Sequence, residues 1–381
     1  MTFRKILFWS HLAAGVTTGL VIFMLAVTGV LLTYEVQITR WAESDIAVQA
    51  AGVAPLSADQ LAEKALEATD GQASALVYEN ATDQAVAATF GRGGKIFLDP
   101  ATGAVLQDSP TATQAFFGAV TNLHRWLSLS GPTDTGATIV GAANVVFGFL
   151  LLSGAWLWLP RLWKWGMLKT KILFRKSYPN AKARDFAWHH VFAFWAAIPL
   201  FVIILSGIVI SYPWASGLVY AAYGEQAPTH AGPPGGRGGA RSGPLMIAPD
   251  GVGLQAVLDQ AETHDPAWER ITLTLPKGTP DADIRATVDT GTGRQPTRQE
   301  TLTISQQSGQ VTSVSGASDQ SPAGQARMWM RFAHTGEFYG LTGQTIAGLA
   351  SLATLFMVYT GLALSYRRLI QPLFRRQRRA A

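Results

Sequence analysis

Residues 11–34, HLAAGVTTGLVIFMLAVTGVLLTY, have a counterpart at residues 189–212, HHVFAFWAAIPLFVIILSGIVISY. In both stretches a histidine begins a long apolar run, a hydroxyl residue followed by glycine comes near its end, and a tyrosine closes it. The matching positions are His11, Gly29 and Tyr34 in the first copy and His189, Gly207 and Tyr212 in the second. The equal intervals predict a chain built by duplication, in which each copy begins with a membrane-spanning helix.

Four stretches are apolar and long enough to cross a hydrocarbon core about 30 Å thick, which takes roughly 20 helical residues. They are residues 7–34, 137–160, 187–212 and 342–366. The composition agrees, because 48% of the residues are hydrophobic and only 14% are charged. The predicted fold class is therefore membrane α-helical, with a four-helix transmembrane bundle. The second and fourth spans also carry a hydroxyl residue followed by glycine, in Ser153-Gly154 and Thr360-Gly361.

The charges predict the orientation of these spans. The chain start, the connection 161–186 and the tail 367–381 together hold 16 of the 30 Lys and Arg residues, whereas 24 of the 25 acidic residues lie in the loops 35–136 and 213–341. By the positive-inside rule both termini are inside, and we expect a bacterial inner membrane with both long loops in the periplasm. The pI of about 9.4 then reflects topology, so the expected partner is membrane lipid and no nucleic acid.

Two further features concern the membrane surface. The first apolar run is longer than that of a signal peptide and no small-residue cleavage site follows it, so we expect it to be retained. Indole side chains near the basic side are expected to anchor at the inner interface. These are Trp156, Trp158, Trp163 and Trp165.

Both long loops have the same order of predicted elements. Residues 57–69 and 253–264 show the periodicity of an amphipathic helix, and three strand-like segments follow each of them. The strand-like segments are ASALVYE, AVAATFG and KIFLDPATGAVL in the first loop, with a turn at Asp99-Pro100-Ala101-Thr102-Gly103, and RITLTLP, DIRATVD and LTISQQSGQVTSV in the second, with a turn at Ser308-Gly309. We predict two small α+β modules, each with one helix and its own antiparallel sheet. The Gly/Pro-rich residues 230–244 are predicted to be a flexible linker, or alternatively a basic lid that uses Arg237 and Arg241.

Four histidines stand at the ends of the spans and carry the functional hypothesis. His11 and His189 lie near the basic side, and His124 and His334 precede the spans that start from the acidic side. A helix of 18 residues is about 27 Å long, so these side chains form two layers, each with one histidine from each copy. Two neutral imidazoles on facing helices are the ligand set of a six-coordinate haem. The chain has no cysteine, which excludes thiolate ligands and covalent c-type attachment. We therefore predict two bis-histidine haem b groups, one near each membrane face.

Small residues follow two of these histidines at helical spacing. Gly15 and Gly19 come one and two turns after His11, and Ala193 comes one turn after His189. We predict that they leave room for the porphyrin, although small residues also allow membrane helices to approach closely.

Three neighbouring side chains are also candidates. Adjacent helical residues point about 100° apart, so only one of His189 and His190 can face the bundle, and the repeat selects His189. His190 is then expected at the haem edge. Arg125 and Arg331 flank the other two histidines and are predicted to bind haem propionates, with solvated loop arginines as the alternative.

Other roles for the histidines are less consistent with the pattern. Each alone could be an interfacial polar residue or a partner in a helix–helix hydrogen bond. A proton relay would need acidic residues midway along the spans, but Glu35 and Asp185 lie at span ends. A zinc or copper site would need three or more convergent ligands, and the two layers are too far apart to share one metal.

Taken together, these residues resemble the PepSY-associated transmembrane-helix family, whose hallmarks are histidine-led spans that end in a hydroxyl–glycine pair and PepSY modules with a D-x-x-TG-type turn. The resemblance covers nearly the whole chain, through SHLAAG, LAVTGVLL, LDPATGAVL, LHRWL, LLSGAWLWLP, WHHVFAFW, AHTGEFYG and VYTGLAL. The chain departs from the family pattern at Ala187 and Ala193 around the third-span histidine, and in SQQSG at the second turn.

The length and layout are similar to the ferrisiderophore reductase (FoxB-like) branch of that family. The resemblance implies a cytochrome b-like protein that carries electrons across the inner membrane and reduces ferric iron in a periplasmic siderophore, with His11, His189, His124 and His334 as haem ligands. The electron donor is expected to be a quinol or a cytoplasmic reductase. The chain lacks a dinucleotide fingerprint, because GGRGGA lies in the predicted linker, so NAD(P)H and flavin are not expected to bind. The alternatives are a haem-free, membrane-anchored PepSY protein for binding or sensing, and a di-haem reductase of another periplasmic acceptor or of quinone.

Overall fold

A computed structural model of the protein describes residues 2–44, 46, 48, 52–81, 84–91, 94–108, 111–129, 134–160, 164–228, 245, 251–277 and 283–373. The predicted linker 230–244, Trp163 and the tail from residue 374 lie outside these residues. The chain divides into two compact units. The helical unit comprises Met1–Thr33, Gly118–Ala227 and Trp329–Ala381, and the sheet unit comprises Tyr34–Phe117 and Pro228–Met328.

The described residues form helices and strands in the following order: α1 (Phe3–Leu32), α2 (Glu35–Ser44), α3 (Ala58–Ala68), β1 (Ala73–Glu79), β2 (Val86–Phe90), β3 (Gly94–Leu98), β4 (Val105–Gln107), α4 (Ala112–Trp126), α5 (Asp134–Trp158), α6 (Trp165–Ile172), α7 (Ala181–Ser211), α8 (Pro213–Ala222), α9 (Leu254–His264), β5 (Arg270–Thr274), β6 (Ile284–Asp289), β7 (Gln299–Ile304), β8 (Val311–Gly316), α10 (Pro322–Thr335) and α11 (Gly340–Leu369).

Four helices in the described chain are long and apolar enough to cross a membrane, as predicted. The candidate spans are Phe3–Leu32, Thr135–Trp158, Ala181–Ser211 and Glu337–Leu373. The first, third and fourth extend further at their basic ends than the apolar runs indicated. In α7, for example, the side chain of Asn180 accepts a hydrogen bond from Ala183 N (2.9 Å) and caps the helix. The helix therefore begins at Ala181, six residues before the predicted start. Long basic side chains tolerate such positions because their charged ends reach the membrane surface.

The four long helices pack as a bundle in which α1 and α7 each lie against both α5 and α11. Its centre is a small apolar core of Ala196, Leu200 and Ile204 from α7 with Ala350 from α11. The outer surface is apolar too, since Leu20 is 78% and Ile198 79% exposed. Large aliphatic side chains turned outward on every long helix are typical of a protein whose solvent is lipid.

The sheet unit is built on one antiparallel sheet with the strand order β4-β3-β2-β1-β5-β6-β7-β8. The expectation of a separate small sheet in each module is therefore wrong. Strand β1 of the first module pairs with β5 of the second, with Leu76 opposite Leu273 and Val77 opposite Thr272. The physical reason is that each four-stranded sheet would otherwise leave a strand with unpaired backbone groups at its edge, and the two edges satisfy each other.

Helices α3 and α9, both predicted, pack on one face of this sheet. They bury a continuous core that includes Leu61, Leu258, Leu76, Ile271 and Leu302, all at most 5% exposed. This shared core makes the two modules one folding unit.

The third strand-like segment of each module folds as a hairpin of two strands, β3 and β4 in the first module and β7 and β8 in the second. Asp99 Oδ1 accepts hydrogen bonds from Ala101 N (2.9 Å) and Thr102 N (3.1 Å) in the first turn. In the second, Ser305 Oγ accepts from Ser308 N (3.4 Å). Gly103 and Gly309 have φ of +70° and +68°, so SQQSG folds as the same turn with a hydroxyl in place of the carboxylate.

Helix α2, which the sequence did not reveal, lies near the other face of the first module. Lys95 on β3 forms an ion pair with Glu43 (2.6 Å), and Arg40 forms one with Glu79 on β1 (2.7 Å). Burial lowers the pKa of Lys95, while the charge of Glu43 acts in the opposite direction.

Candidate functional site

The four span-end histidines all point into the helical unit and all contact a hydroxyl–glycine pair. His11 and His189 are called the first histidine pair, and His124 and His334 the second. The first pair lies on α1 and α7 themselves. The second pair lies in the last turns of α4 and α10, short helices that precede α5 and α11 and that the sequence did not identify as helical.

The first histidine pair is held by α5 and α11. The Nδ1 atom of His11 is 2.9 Å from Ser153 Oγ on α5. The Nδ1 atom of His189 is 3.1 Å from Thr360 Oγ1 and 3.0 Å from the carbonyl oxygen of Met357, both on α11. Each histidine is therefore positioned by the neighbouring helix of the bundle.

The second histidine pair is held in the same way by α1 and α7. The Nδ1 atom of His124 is 2.7 Å from Thr28 Oγ1 on α1. The Nδ1 atom of His334 is 3.1 Å from Ser206 Oγ and 2.9 Å from the carbonyl oxygen of Ile203, both on α7. Since His11 and Thr28 stand near opposite ends of α1, the two pairs are separated by about 25 Å at 1.5 Å per residue.

The partners determine which nitrogen of each ring carries the proton. A carbonyl oxygen can only accept, so Nδ1 of His189 and of His334 must be the donor. Each hydroxyl also has only one proton, and in all four cases that proton is within reach of a carbonyl of its own helix. These bonds run from Ser153 to Phe149 (2.6 Å), from Thr360 to Phe356 (2.7 Å), from Thr28 to Met24 (2.8 Å) and from Ser206 to Ile203 (3.0 Å).

In the neutral form each of the four imidazoles would therefore carry its proton on Nδ1 and have its lone pair on Nε2, for which the described residues supply no hydrogen bond. A second-nitrogen hydrogen bond of this kind is the usual support of a metal-ligating histidine. Burial lowers the pKa of His124 and of His334 to about 4, and in His124 the charges of His334 and Arg125 act in the same direction. These two rings are consequently uncharged at neutral pH.

The glycine of each pair gives the imidazole its space. A Cβ atom added at any of these glycines would contact or crowd the Cε1 atom of the ring. The separations would be 3.2 Å for Gly154 and His11, 3.4 Å for Gly361 and His189, 4.0 Å for Gly29 and His124, and 3.2 Å for Gly207 and His334. The hydroxyl thus orients the ring, and the glycine lets it lie against the helix.

A glycine turn places His334. Gly336 has φ of +79°, and a Cβ there would lie 2.3 Å from the carbonyl oxygen of Gly343. A Cβ at Gly343 would lie 2.2 Å from the carbonyl oxygen of Gly336, so neither position accepts a side chain. The chain can reverse this tightly from α10 into α11 only because both residues are glycine.

The structure places the other predicted site residues as follows. His190 donates from Nδ1 to the carbonyl oxygen of Phe186 (2.8 Å) on its own helix. It therefore differs from His189, which contacts a hydroxyl residue on a neighbouring helix, as the other three span-end histidines do. Gly15 faces Leu150 of α5, where an added Cβ would make an ordinary contact at 3.8 Å. Gly19 is buried against Leu362 of α11, at 3.4 Å.

These glycine contacts favour the alternative in which Gly15 and Gly19 allow close packing of α1. Ala193 is half-buried on α7. The Arg125 guanidinium lies 4.6 Å from the ring centroid of Trp126, and that of Arg331 lies 5.5 Å from the ring of Phe332. Propionate binding by these arginines, and a haem-edge position for His190, stay predictions.

The donor set fits a haem better than a bare metal ion. Among the described residues, no three His, Asp or Glu side chains are grouped so that they could hold a metal by themselves. A charge on His11 would act on His189, and a charge on His334 would act on His124, so the two rings of each pair lie within electrostatic range of each other. Each pair could supply two nitrogens, and iron would need its other ligands from a porphyrin.

In the sequence, the hydroxyl–glycine pairs indicated only a repeat, and no structural role was predicted for them. The signal was present, because each pair stands at the opposite end of a span from one histidine and level with another. Reading the spans as antiparallel neighbours would have predicted the four contacts.

A bundle of four apolar helices with buried, oriented histidines, joined to an α+β unit, defines an α-helical membrane protein with two candidate cofactor sites. The family model described as the PepSY-associated TM region matches residues 8–368, and the chain belongs to this family. The family includes cytochrome b-like proteins. None of the curated proteins compared with the chain matches it.

Proposed function

We propose that the protein is a di-haem b-type oxidoreductase of a bacterial inner membrane, which passes electrons across the bilayer to ferric iron in a siderophore on the periplasmic side. The observation that carries the proposal is the shared state of four imidazoles. Each has Nδ1 bound by a neighbouring helix and no hydrogen bond to Nε2 from the described residues, and they are grouped in pairs near opposite ends of one bundle.

In this proposal His11 and His189 hold one haem, and His124 and His334 hold the other. Haem supplies a one-electron Fe(III)/Fe(II) couple when bound. The protein's own part is to fix the imidazole orientation through Ser153, Thr360, Thr28 and Ser206, to keep the rings neutral, and to exclude water. The apolar core between the two pairs serves the last purpose.

The acceptor follows from the resemblance to ferrisiderophore reductases. Reduction of one ferric siderophore takes one electron and releases Fe(II), which siderophores bind more weakly, so the free chelator remains. The donor would be a quinol or a cytoplasmic reductase. The concentration of basic residues at the chain start, in 161–186 and after residue 366 supports the proposed side for both termini.

The duplication is part of the same proposal. Ser153 and Thr360 have equivalent tasks, as have Thr28 and Ser206, and the sheet unit contains two copies of a helix followed by four strands. Two equivalent half-sites that meet across the bundle are what a duplicated chain would produce.

Haem quantification of the purified protein tests the proposal. We expect about two b-type haems per chain in the wild type, because there are two histidine pairs. H11A and H189A should each lose one haem, H124A and H334A the other, and the spectra of the two classes should differ. H190A and H264A are the controls, since His190 has a backbone partner and His264 pairs with Glu300 in the sheet unit (2.8 Å).

A colourless wild-type protein would contradict the proposal and favour a haem-free binding or sensing protein. The acceptor is tested separately by mixing dithionite-reduced protein with ferric siderophore and trapping Fe(II) with a chromogenic chelator. Haem reoxidation that yields coloured Fe(II) complex supports siderophore reduction. Reoxidation only by quinone, or by another metal complex, would leave the haem sites and overturn the acceptor.

A further inference from the structure

The indole nitrogen of Trp158 is buried and has no hydrogen-bond partner among the described residues. An indole N–H can only donate, and leaving a buried donor unsatisfied costs about 1–3 kcal/mol. Buried tryptophans therefore usually find an acceptor. The sequence predicted Trp158 to be an interfacial anchor, but an anchor would keep its N–H in contact with water or headgroups.

Trp158 lies at the end of α5, beside α7, which carries His189 of the first histidine pair. It is the last residue of α5, one turn after Gly154, whose helix face adjoins the His11 ring. Its own ring stacks on Phe194 of α7, with centroids 5.2 Å apart and planes at 18°. A group bound between His11 and His189 would therefore have Trp158 beside it.

Two cations converge on the same end of α5. Arg4 Nη2 donates to the carbonyl oxygen of Leu157 (2.7 Å), and Lys171 Nζ donates to that of Trp158 and lies 5.4 Å from the centroid of its ring. No carboxylate in the described chain forms an ion pair with either of them. Asp185, the acid of this region, is instead bound by Arg184 (2.8 Å) and Arg367 (2.5 Å).

The carbonyl oxygens at the end of α5 accept from Arg4 Nη2 and from one N–H of Lys171, but not from the other N–H groups of these two side chains. Lys171 has two further N–H groups, and Arg4 has its Nε and Nη1, none with an acceptor in the described chain. Burial, and then the charge of Arg4, lowers the pKa of Lys171. Two cations that repel each other, next to an unsatisfied N–H, form a site that an anionic oxygen group would stabilise.

We propose that Trp158, Lys171 and Arg4 bind a carboxylate of the porphyrin that His11 and His189 hold. The inference rests on the proposed function and adds to it the side chains that would fix the orientation of this haem in its site. A phospholipid phosphate has the same chemistry and is the competing source of the anion. A porphyrin carboxylate is favoured because the orphan N–H is buried, whereas a lipid headgroup would approach an exposed group at the protein surface.

The test uses the H124A protein, in which only the first site is expected to hold haem. W158F removes the N–H and keeps a ring to stack on Phe194, and K171Q removes one charge. W156F is the matched control, because Trp156 is exposed and, two residues before Trp158, points to nearly the opposite face of α5. The measurements are the rate of haem transfer to excess apomyoglobin and the haem midpoint potential.

We expect W158F and K171Q to lose haem on the order of tenfold faster than the parent, as expected for one buried hydrogen bond. Their midpoint potentials should fall, because a less neutralised carboxylate favours ferric iron, and W156F should match the parent. The reverse experiment uses the triple variant H11A/H124A/H189A, in which neither histidine pair is expected to hold haem, and anionic lipid vesicles. Tryptophan emission that responds to these vesicles through Trp158, with haem loss unchanged in W158F, would assign the site to lipid and overturn the proposal.

Failure of this inference and failure of the proposed function are distinguishable. A parent protein without haem would overturn the function itself. A haem-loaded parent whose W158F and K171Q variants have unchanged haem loss and potential would overturn only the carboxylate site.

Discussion

At the scale of single residues, the candidate site depends on where one hydroxyl proton goes. Each Ser or Thr donates to a carbonyl of its own helix and is left able only to accept from the histidine. The four sites are not equal, however. His189 and His334 have a backbone carbonyl as a second acceptor, and the backbone of Leu25 likewise bonds to His124, whereas the structure gives His11 the hydroxyl of Ser153 alone as acceptor for Nδ1.

This difference predicts unequal effects when the hydroxyl is removed. Ser153→Ala removes the hydroxyl bound to His11, so haem affinity at the first histidine pair should fall about 10- to 100-fold, the usual effect of losing such a support. Thr360→Val should cost much less, because the Met357 carbonyl still accepts from His189. Haem-to-protein ratios and haem transfer rates measure both.

Thr17→Val serves as the control, because Thr17 is exposed and its hydroxyl donates to the carbonyl oxygens of Ala13 (3.0 Å) and Ala14 (3.1 Å) on its own helix. Equal losses in the Ser153 and Thr360 variants would show that the hydroxyl does not set the orientation of the ring.

At the scale of elements, the two modules of the sheet unit cap each other's helices. Asp59 of α3 accepts hydrogen bonds from Leu254 N (2.7 Å) and Gln255 N (3.1 Å) at the start of α9. In return, Gln255 Oε1 accepts from Ala58 N (2.8 Å) at the start of α3. Gly253 makes the approach possible, since a Cβ there would lie 2.8 Å from Asp59 Oδ2.

Replacing this cap should loosen one helix while the fold persists. Asp59→Ala leaves two N–H groups of α9 without their acceptor, at a cost of about 1–2 kcal/mol. Hydrogen exchange of peptides that cover residues 253–264, measured by mass spectrometry on the full-length protein, should accelerate about 5- to 30-fold. Glu63→Ala is the control, because Glu63 is exposed on the same helix. Equal exchange in the two variants would mean that the cap does not stabilise α9.

At the scale of the whole molecule, charge is distributed by segment. Apart from Asp185, the acidic residues lie in the two long loops, while the described connection between α5 and α7 carries only basic charges before Asp185. This asymmetry is what orients a four-span chain, and it predicts opposite sides for residues 177 and 308.

The absence of cysteine makes the orientation easy to measure. Ser177→Cys and Ser308→Cys each introduce one thiol at an exposed position. In intact spheroplasts a membrane-impermeant maleimide should label S308C, whereas S177C should react only after the membrane is opened. Labelling of both or of neither before permeabilisation, with both reactive afterwards, would contradict the proposed topology.

The sequence by itself determined the four spans, the order of a helix followed by strands in each module, and the choice of His11, His124, His189 and His334 as candidates. These features follow from local composition and from equal spacing in two parts of the chain, which need no knowledge of contacts. The helical ends were less predictable, because a cap such as Asn180 extends a helix into polar residues that hydropathy excludes.

Only the tertiary structure decided how these parts meet. That β1 pairs with β5, and so joins two modules in one sheet, depends on which edges come together in space. That His189 and not His190 has a hydroxyl–glycine partner depends on the rotation of α7 against α11. The orphaned nitrogen of Trp158 likewise has no signature along the chain, since burial and the absence of an acceptor are properties of the packed bundle and not of any one residue.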